Sequence, residues 1–130
     1  MTKSALPVIA ITMGDAAGVG PEVIVGAFSD AKLFAECNPI VVGDTARLKL
    51  AAKVLNSDIQ ISEVKSVSDA EFAVNTISVV DPHLIPGDLA WGKLSAVAGN
   101  AAYEYIKFAC ELAMSGKAQA ICTAPLNKEA

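Results

Sequence analysis

Val8–Glu22 reads VIAITMGDAAGVGPE, and this stretch decides the fold. VIAIT (Val8–Thr12) is short and almost continuously apolar, as a strand buried on both faces must be. Gly14, Gly18 and Gly20 follow, and then Pro21, whose fixed φ suits the first turn of a helix. Val23, Ile24, Ala27 and Phe28 recur at helical spacing, so a helix is expected from Pro21 to about Glu36. A buried strand, a glycine-rich loop and a helix, in that order, open a βαβ unit.

The rest of the chain repeats that alternation. Asn38-Pro39 ends the first helix, and IVVG (Ile40–Gly43) reads as a second buried strand. Asp44 is a plausible N-cap for a helix carrying Leu48, Ala51, Val54 and Leu55. Ile59–Val64 alternates, which suits a strand with one wet face. Asp69–Ala73 is a turn or a short helix. TISVV (Thr76–Val80) is a further strand, and two prolines and two glycines between Asp81 and Gly92 mark a loop. Ser95–Met114 is the clearest helix, with a stripe through Val97, Ala101, Tyr105, Phe108 and Leu112 and Gly116 as its C′ residue. AICT (Ala120–Thr123) is a last buried strand, and Pro125 opens another helix. The class is therefore α/β, a mostly parallel sheet with flanking helices. The last helix begins with barely a turn of chain left, so residues 1–130 are expected to be one α/β segment, the N-terminal part of a longer protein.

Composition narrows the function classes. Hydrophobic residues make up 53% and charged ones 18% of 130 residues, which excludes disorder. Ten basic against fourteen acidic residues, with no Lys/Arg cluster, leave no footprint for nucleic acid. No apolar run has the length of a membrane span, and the first residues lack the pattern of a signal peptide. Cys37, Cys110 and Cys122 are odd in number and irregularly spaced, which fits free thiols in a reducing, cytoplasmic setting.

Two segments can carry chemistry. In TMGDAAGVGPE (Thr12–Glu22) the glycines let backbone approach a ligand, and the helix that follows offers free N–H groups to an anion. The spacing Gly14-x3-Gly18-x-Gly20 is neither the GxGxxG fingerprint nor a P-loop. Gly14, Asp15, Gly18 and Gly20 are the candidate cofactor-binding residues, against the plainer reading of a tight strand-to-helix turn. Asp15, being acidic, suits a nucleotide sugar, a metal-linked water or an N-cap better than a phosphate. In TAPLNKE (Thr123–Glu129), Thr123, Asn127 and Lys128 would project around a helix N-terminus at the same edge of the sheet. Thr123 and Asn127 are candidate substrate contacts. Lys128 can pair with an anion or exchange a proton, though a solvated Lys is the commoner role of such a residue. His83 is the single histidine and lacks sequence neighbours for a metal site. Cys122 has no histidine placed to activate it, and Trp91 reads as an aromatic anchoring its loop.

These motifs resemble a known family. TMGDAAGVGPE at Thr12–Glu22, VVGD at Val41–Asp44 and the run from Gly92 to Ala130 ending TAPLNKEA are similar to the 4-hydroxythreonine-4-phosphate dehydrogenases, the PdxA family. Ala16 departs from the family's usual proline, which alters loop stiffness more than chemistry. The resemblance implies the isocitrate/isopropylmalate dehydrogenase-like fold, here incomplete, whose GDGIGPE loop resembles Gly14–Glu22 with two residues fewer. It also implies NAD-dependent (or NADP-dependent) oxidation, with decarboxylation, of 4-phosphohydroxy-L-threonine in pyridoxal phosphate biosynthesis, by a two-domain cytoplasmic homodimer. A divalent metal (Zn, Mg or Co) would be held by histidines that the family carries after TAPLNKEA, outside this chain, so residues 1–130 alone are expected to be inactive. One alternative is a related dehydrogenase of a threonate- or erythronate-type phosphate. Another is a non-catalytic module that binds an anionic metabolite or a subunit.

Overall fold

The computed structural model describes residues 6–93 and 95–125. Five strands form one sheet in the order β3-β4-β2-β1-β5, with every pair parallel. They are β1 (Val8–Thr12), β2 (Asn38–Val42), β3 (Gln60–Glu63), β4 (Thr76–Val80) and β5 (Ala120–Thr123). The helices are α1 (Gly20–Phe28), α2 (Ala31–Glu36), α3 (Thr45–Val54) and α4 (Ala96–Met114), with a short 3₁₀ turn at Val67–Asp69.

The crossovers set the layers. The steps β1 to β2 and β2 to β3 run one way across the sheet and β4 to β5 runs the other. Right-handed connections therefore put α1 and α3 on one face and α4 on the opposite face. In agreement, α1 packs on α3, while α4 packs on β1, β2 and β5. Ile24, Val25, Phe28, Leu48 and Ala51 close one face of the sheet. Ala98, Ala101, Tyr105, Ala109 and Leu112 close the other.

Local chemistry explains where the elements stop. Asp44 and Ser95 accept hydrogen bonds from Arg47 N (2.8 Å) and Ala98 N (3.2 Å), capping α3 and α4. Gly116 takes φ +80°, the left-handed conformation that ends α4.

Three expectations change. The helix expected over 21–36 is two helices, because Asp30 adopts an extended conformation and caps α2 by accepting from Lys32 N at 2.9 Å. β2 begins at Asn38, so Pro39 lies inside it. This is tolerated because β4 pairs only with Val41 and Val42, leaving the Pro39 nitrogen facing no ladder partner there. AICT, expected to be buried, has all four residues exposed and lies at the edge of the sheet among the described residues. Apolar sequence alone could not separate a central strand from an edge one. The helix expected after Pro125 lies outside the described residues.

Candidate functional site

The two sequence motifs meet at one edge of the sheet. Thr12 and Thr123 are register partners at the carboxyl ends of β1 and β5. Beyond them, Ala124 N donates to Thr12 O and Asp15 N donates to Pro125 O, each at 3.0 Å. Gly14 sits at φ +75°, and a Cβ there would press on the Pro125 carbonyl and lie 2.8 Å from that of Ala124. A Cβ on Gly20 would strike the Met13 carbonyl. Both glycines are thus demanded by close backbone approach.

Asp15 is buried, with its Oδ1 accepting from Ala17 N at 2.9 Å and its carbonyl accepting from Gly18 N at 3.0 Å. Its carboxylate thus closes the loop's own turn. Gly18 is half-buried and Val19 is 55% exposed at the start of α1, where no side chain caps the helix. The open part of the loop is therefore backbone at a helix N-terminus, with Thr123 exposed alongside. Asn127 and Lys128 lie outside the described residues.

The other candidates fall elsewhere. Cys122, on β5, lines an apolar groove of about 240 Å³ with Ile11, Val23, Ile24 and Phe28. His83 stands beside β3 at the far edge of the sheet, so the two form no Cys–His pair. Trp91 anchors its loop by stacking on Arg47, with the guanidinium carbon 4.4 Å from the ring centroid.

Sequence reading missed a second cluster. The connections leaving β2 and β4 part to opposite faces, and the crevice between such strand ends is where open α/β sheets bind ligands. Here it is filled. Asp44 caps α3, while Asp81 accepts from Thr45 N (2.8 Å) and His83 N (2.7 Å). Arg47, 2% exposed, donates to the Leu89 carbonyl under Trp91. Burial raises the Asp44 pKa against the opposing Arg47 N–H bond, and burial lowers that of Arg47 against the attraction of Asp44. Burial, then Asp44 and Asp81, push Tyr105 far up. One signal was legible: β1, β2 and β4 are each followed within three residues by an aspartate, Asp15, Asp44 and Asp81.

Among the described residues, Glu63, Asp81 and His83 are the one group of three metal-capable side chains. One ligand atom from each lies within 4.8 Å of the others, with His83 Nε2 facing Glu63 at 2.9 Å and Nδ1 facing Asp81 at 3.9 Å. The imidazole stands between two acids. Its pKa is raised, chiefly by the Glu63 hydrogen bond and then by Asp81.

Comparison with known proteins gives the chain's relatives. The family described as pyridoxal phosphate biosynthetic protein PdxA matches residues 35–130. D-Threonate 4-phosphate dehydrogenase of Cupriavidus necator is 50% identical over 125 residues, 96% of this chain and 38% of that protein. The crystal structure of a 4-hydroxythreonine-4-phosphate dehydrogenase from Burkholderia phymatum superposes with TM-score 0.93 at 54% identity, over 95% of this chain and 38% of that one. A 4-hydroxythreonine-4-phosphate dehydrogenase from Klebsiella pneumoniae gives TM-score 0.87 at 36% identity, over 95% and 38%. The chain thus spans well under half the length of these relatives. Among the described residues, no helix is long and apolar enough to cross a membrane.

Proposed function

The chain belongs to the PdxA family, and from that premise we propose that residues 1–130 are the N-terminal α/β part of a two-domain, NAD-dependent dehydrogenase of a four-carbon hydroxy-acid 4-phosphate. The observation that carries this reading is the β1–β5 pairing, which brings TMGDAAGVGPE and the start of TAPLNKEA to one strand-end edge. The loop suits the phosphates of a dinucleotide: Gly18 and Val19 present backbone at an uncapped helix start, while the Asp15 carboxylate closes the loop's own turn. NADP is the alternative cofactor.

4-Phosphohydroxy-L-threonine is the leading substrate, in pyridoxal phosphate biosynthesis, and a threonate- or erythronate-type 4-phosphate is the rival. Both kinds share the C3 hydroxyl and the phosphate and differ at C2, where one has an ammonium and the other a hydroxyl. Bound nicotinamide would supply the acceptor for the C3 hydride, and histidines further along the polypeptide would hold a divalent metal able to polarise the C3 oxygen. The hydroxyl proton passes to a base, and the 3-keto acid loses CO2 and takes up a proton. In this chain Gly14, Asp15, Gly18 and Gly20 form the cofactor loop and Thr123 and Asn127 contact substrate. Lys128 exchanges the proton or pairs with substrate charge. The whole enzyme acts as a cytoplasmic homodimer.

The test is to supply the full-length polypeptide with NAD and each of the three 4-phosphates, following reduced nicotinamide and CO2 together. The reading expects the two products in equal amounts from one of these acids, and none from its unphosphorylated form. Saturable binding of the acids without NAD reduction would favour the non-catalytic metabolite-binding module instead.

A further inference from the structure

The connection from Asp81 to Lys93 has no regular secondary structure, and irregular connections of this length are uncommon inside compact domains. It forms a strap fastened at three places. At its start, Asp81 accepts from Thr45 N, and His83 reaches Glu63. In its middle, the Leu89 carbonyl accepts from the Arg47 guanidinium, and Trp91 lies over the same group. Near its end, Gly92 N donates to the carbonyl of Ala17 in the glycine loop.

That last bond joins the strap to the candidate cofactor loop. Met13–Ala17 are all buried, whereas Gly18 and Val19 are not, so the part of the loop tied to the strap is held while the part next to it is open. The strap also lies over the ends of β2 and β4. Arg47 suits the fastening because its planar guanidinium can offer a face to Trp91 and an N–H in its own plane to Leu89 at once. A lysine ammonium has no such face.

We propose that Arg47 and Trp91 are positioning residues: by clamping the strap they hold the Ala17 carbonyl, and with it the Gly18–Val19 backbone, in the geometry that receives the cofactor's phosphates. The inference rests on the dehydrogenase reading above for the identity of the ligand, but not for the clamp. Neither residue need touch substrate or cofactor.

The experiment uses the full-length polypeptide with Trp91→Ala and Trp91→Phe, the phenyl ring preserving a face for Arg47. Trp91 is 38% exposed, so its truncation leaves the core of the sheet intact. Steady-state kinetics with NAD are run alongside hydrogen exchange at the Gly92 amide. Trp91→Ala is expected to raise KM for NAD about fivefold, the scale of a partly exposed cation–π contact, with kcat within about twofold. It should also speed Gly92 exchange, and Trp91→Phe should restore most of both.

Faster exchange with an unchanged KM would overturn the positioning role. Unchanged exchange in Trp91→Ala would overturn the clamp itself. Equal losses in Trp91→Ala and Trp91→Phe would overturn the part given to the ring face. Failure of the dehydrogenase reading is distinct, since it appears as a wild-type polypeptide with no saturable NAD dependence; Gly92 exchange then decides the clamp alone.

Discussion

Replacing Gly14 with alanine should loosen the edge where the two motifs meet. Gly14 has φ +75°, and holding an L-residue in that left-handed region costs about 1–2 kcal/mol. The new methyl group would also press on the Ala124 and Pro125 carbonyls, which are backbone and cannot rotate away. Relief requires the segment after β5 to withdraw, which removes the Asp15 N to Pro125 O bond, worth about 1 kcal/mol. Together these effects come to about 3 kcal/mol, or a fall in Tm of about 10 °C for a domain of this size. Gly26→Ala is the internal control, because Gly26 lies in α1 with nothing within 4 Å of a Cβ. That substitution should stabilise by about 0.5–1 kcal/mol. Thermal unfolding of both variants followed by circular dichroism makes the comparison. A Gly14→Ala protein melting within about 2 °C of wild type would refute the packing argument.

Three further outcomes follow from single side chains. Tyr105→Phe should leave stability unchanged or raise it by up to about 1 kcal/mol in urea unfolding, since the Tyr105 hydroxyl is buried with no hydrogen-bond partner among the described residues. A loss above about 1 kcal/mol would mean that the hydroxyl is satisfied. His83 should titrate above 6.5 by NMR, and Glu63→Gln should bring it down. A raised folded pKa makes its contribution to stability complete below about 6.5 and lost as pH rises through the folded value. Lys128→Ala in the full-length enzyme should reduce kcat/KM at least tenfold by steady-state assay; an effect within about twofold, under ~0.4 kcal/mol, would make Lys128 a bystander.

The sequence was most readable where one local signal decides an element. VIAIT bounded by Gly14, Asp44 before an amphipathic run and Gly116 after one each mark an end that the structure keeps. It was least readable where a local cap interrupts the hydrophobic period or where distant partners decide. Asp30 splits the first helix through its own cap, at a point where the hydrophobic period continues unbroken. AICT carries the composition of a central strand but, among the described residues, pairs with β1 alone. The site was legible as two glycine- and Thr-bearing strand ends, whereas their contact depends on a register between residues more than a hundred apart. Glu63, Arg47 and Trp91 could not be brought together from spacing, because the strap that unites them has no periodicity. The trio Glu63, Asp81 and His83 was hidden for the same reason.

The most direct test of the central claim is to follow the glycine and Thr123 amide resonances of the full-length protein as NAD and the phosphorylated acid are added. The account predicts that Gly14, Gly18, Gly20 and Thr123 shift, while Gly26 and Gly116, in α1 and beyond the end of α4, stay in place. Saturable binding with the Gly14–Gly20 and Thr123 signals unmoved would contradict it, because the ligands would then sit away from the edge that β1 and β5 build.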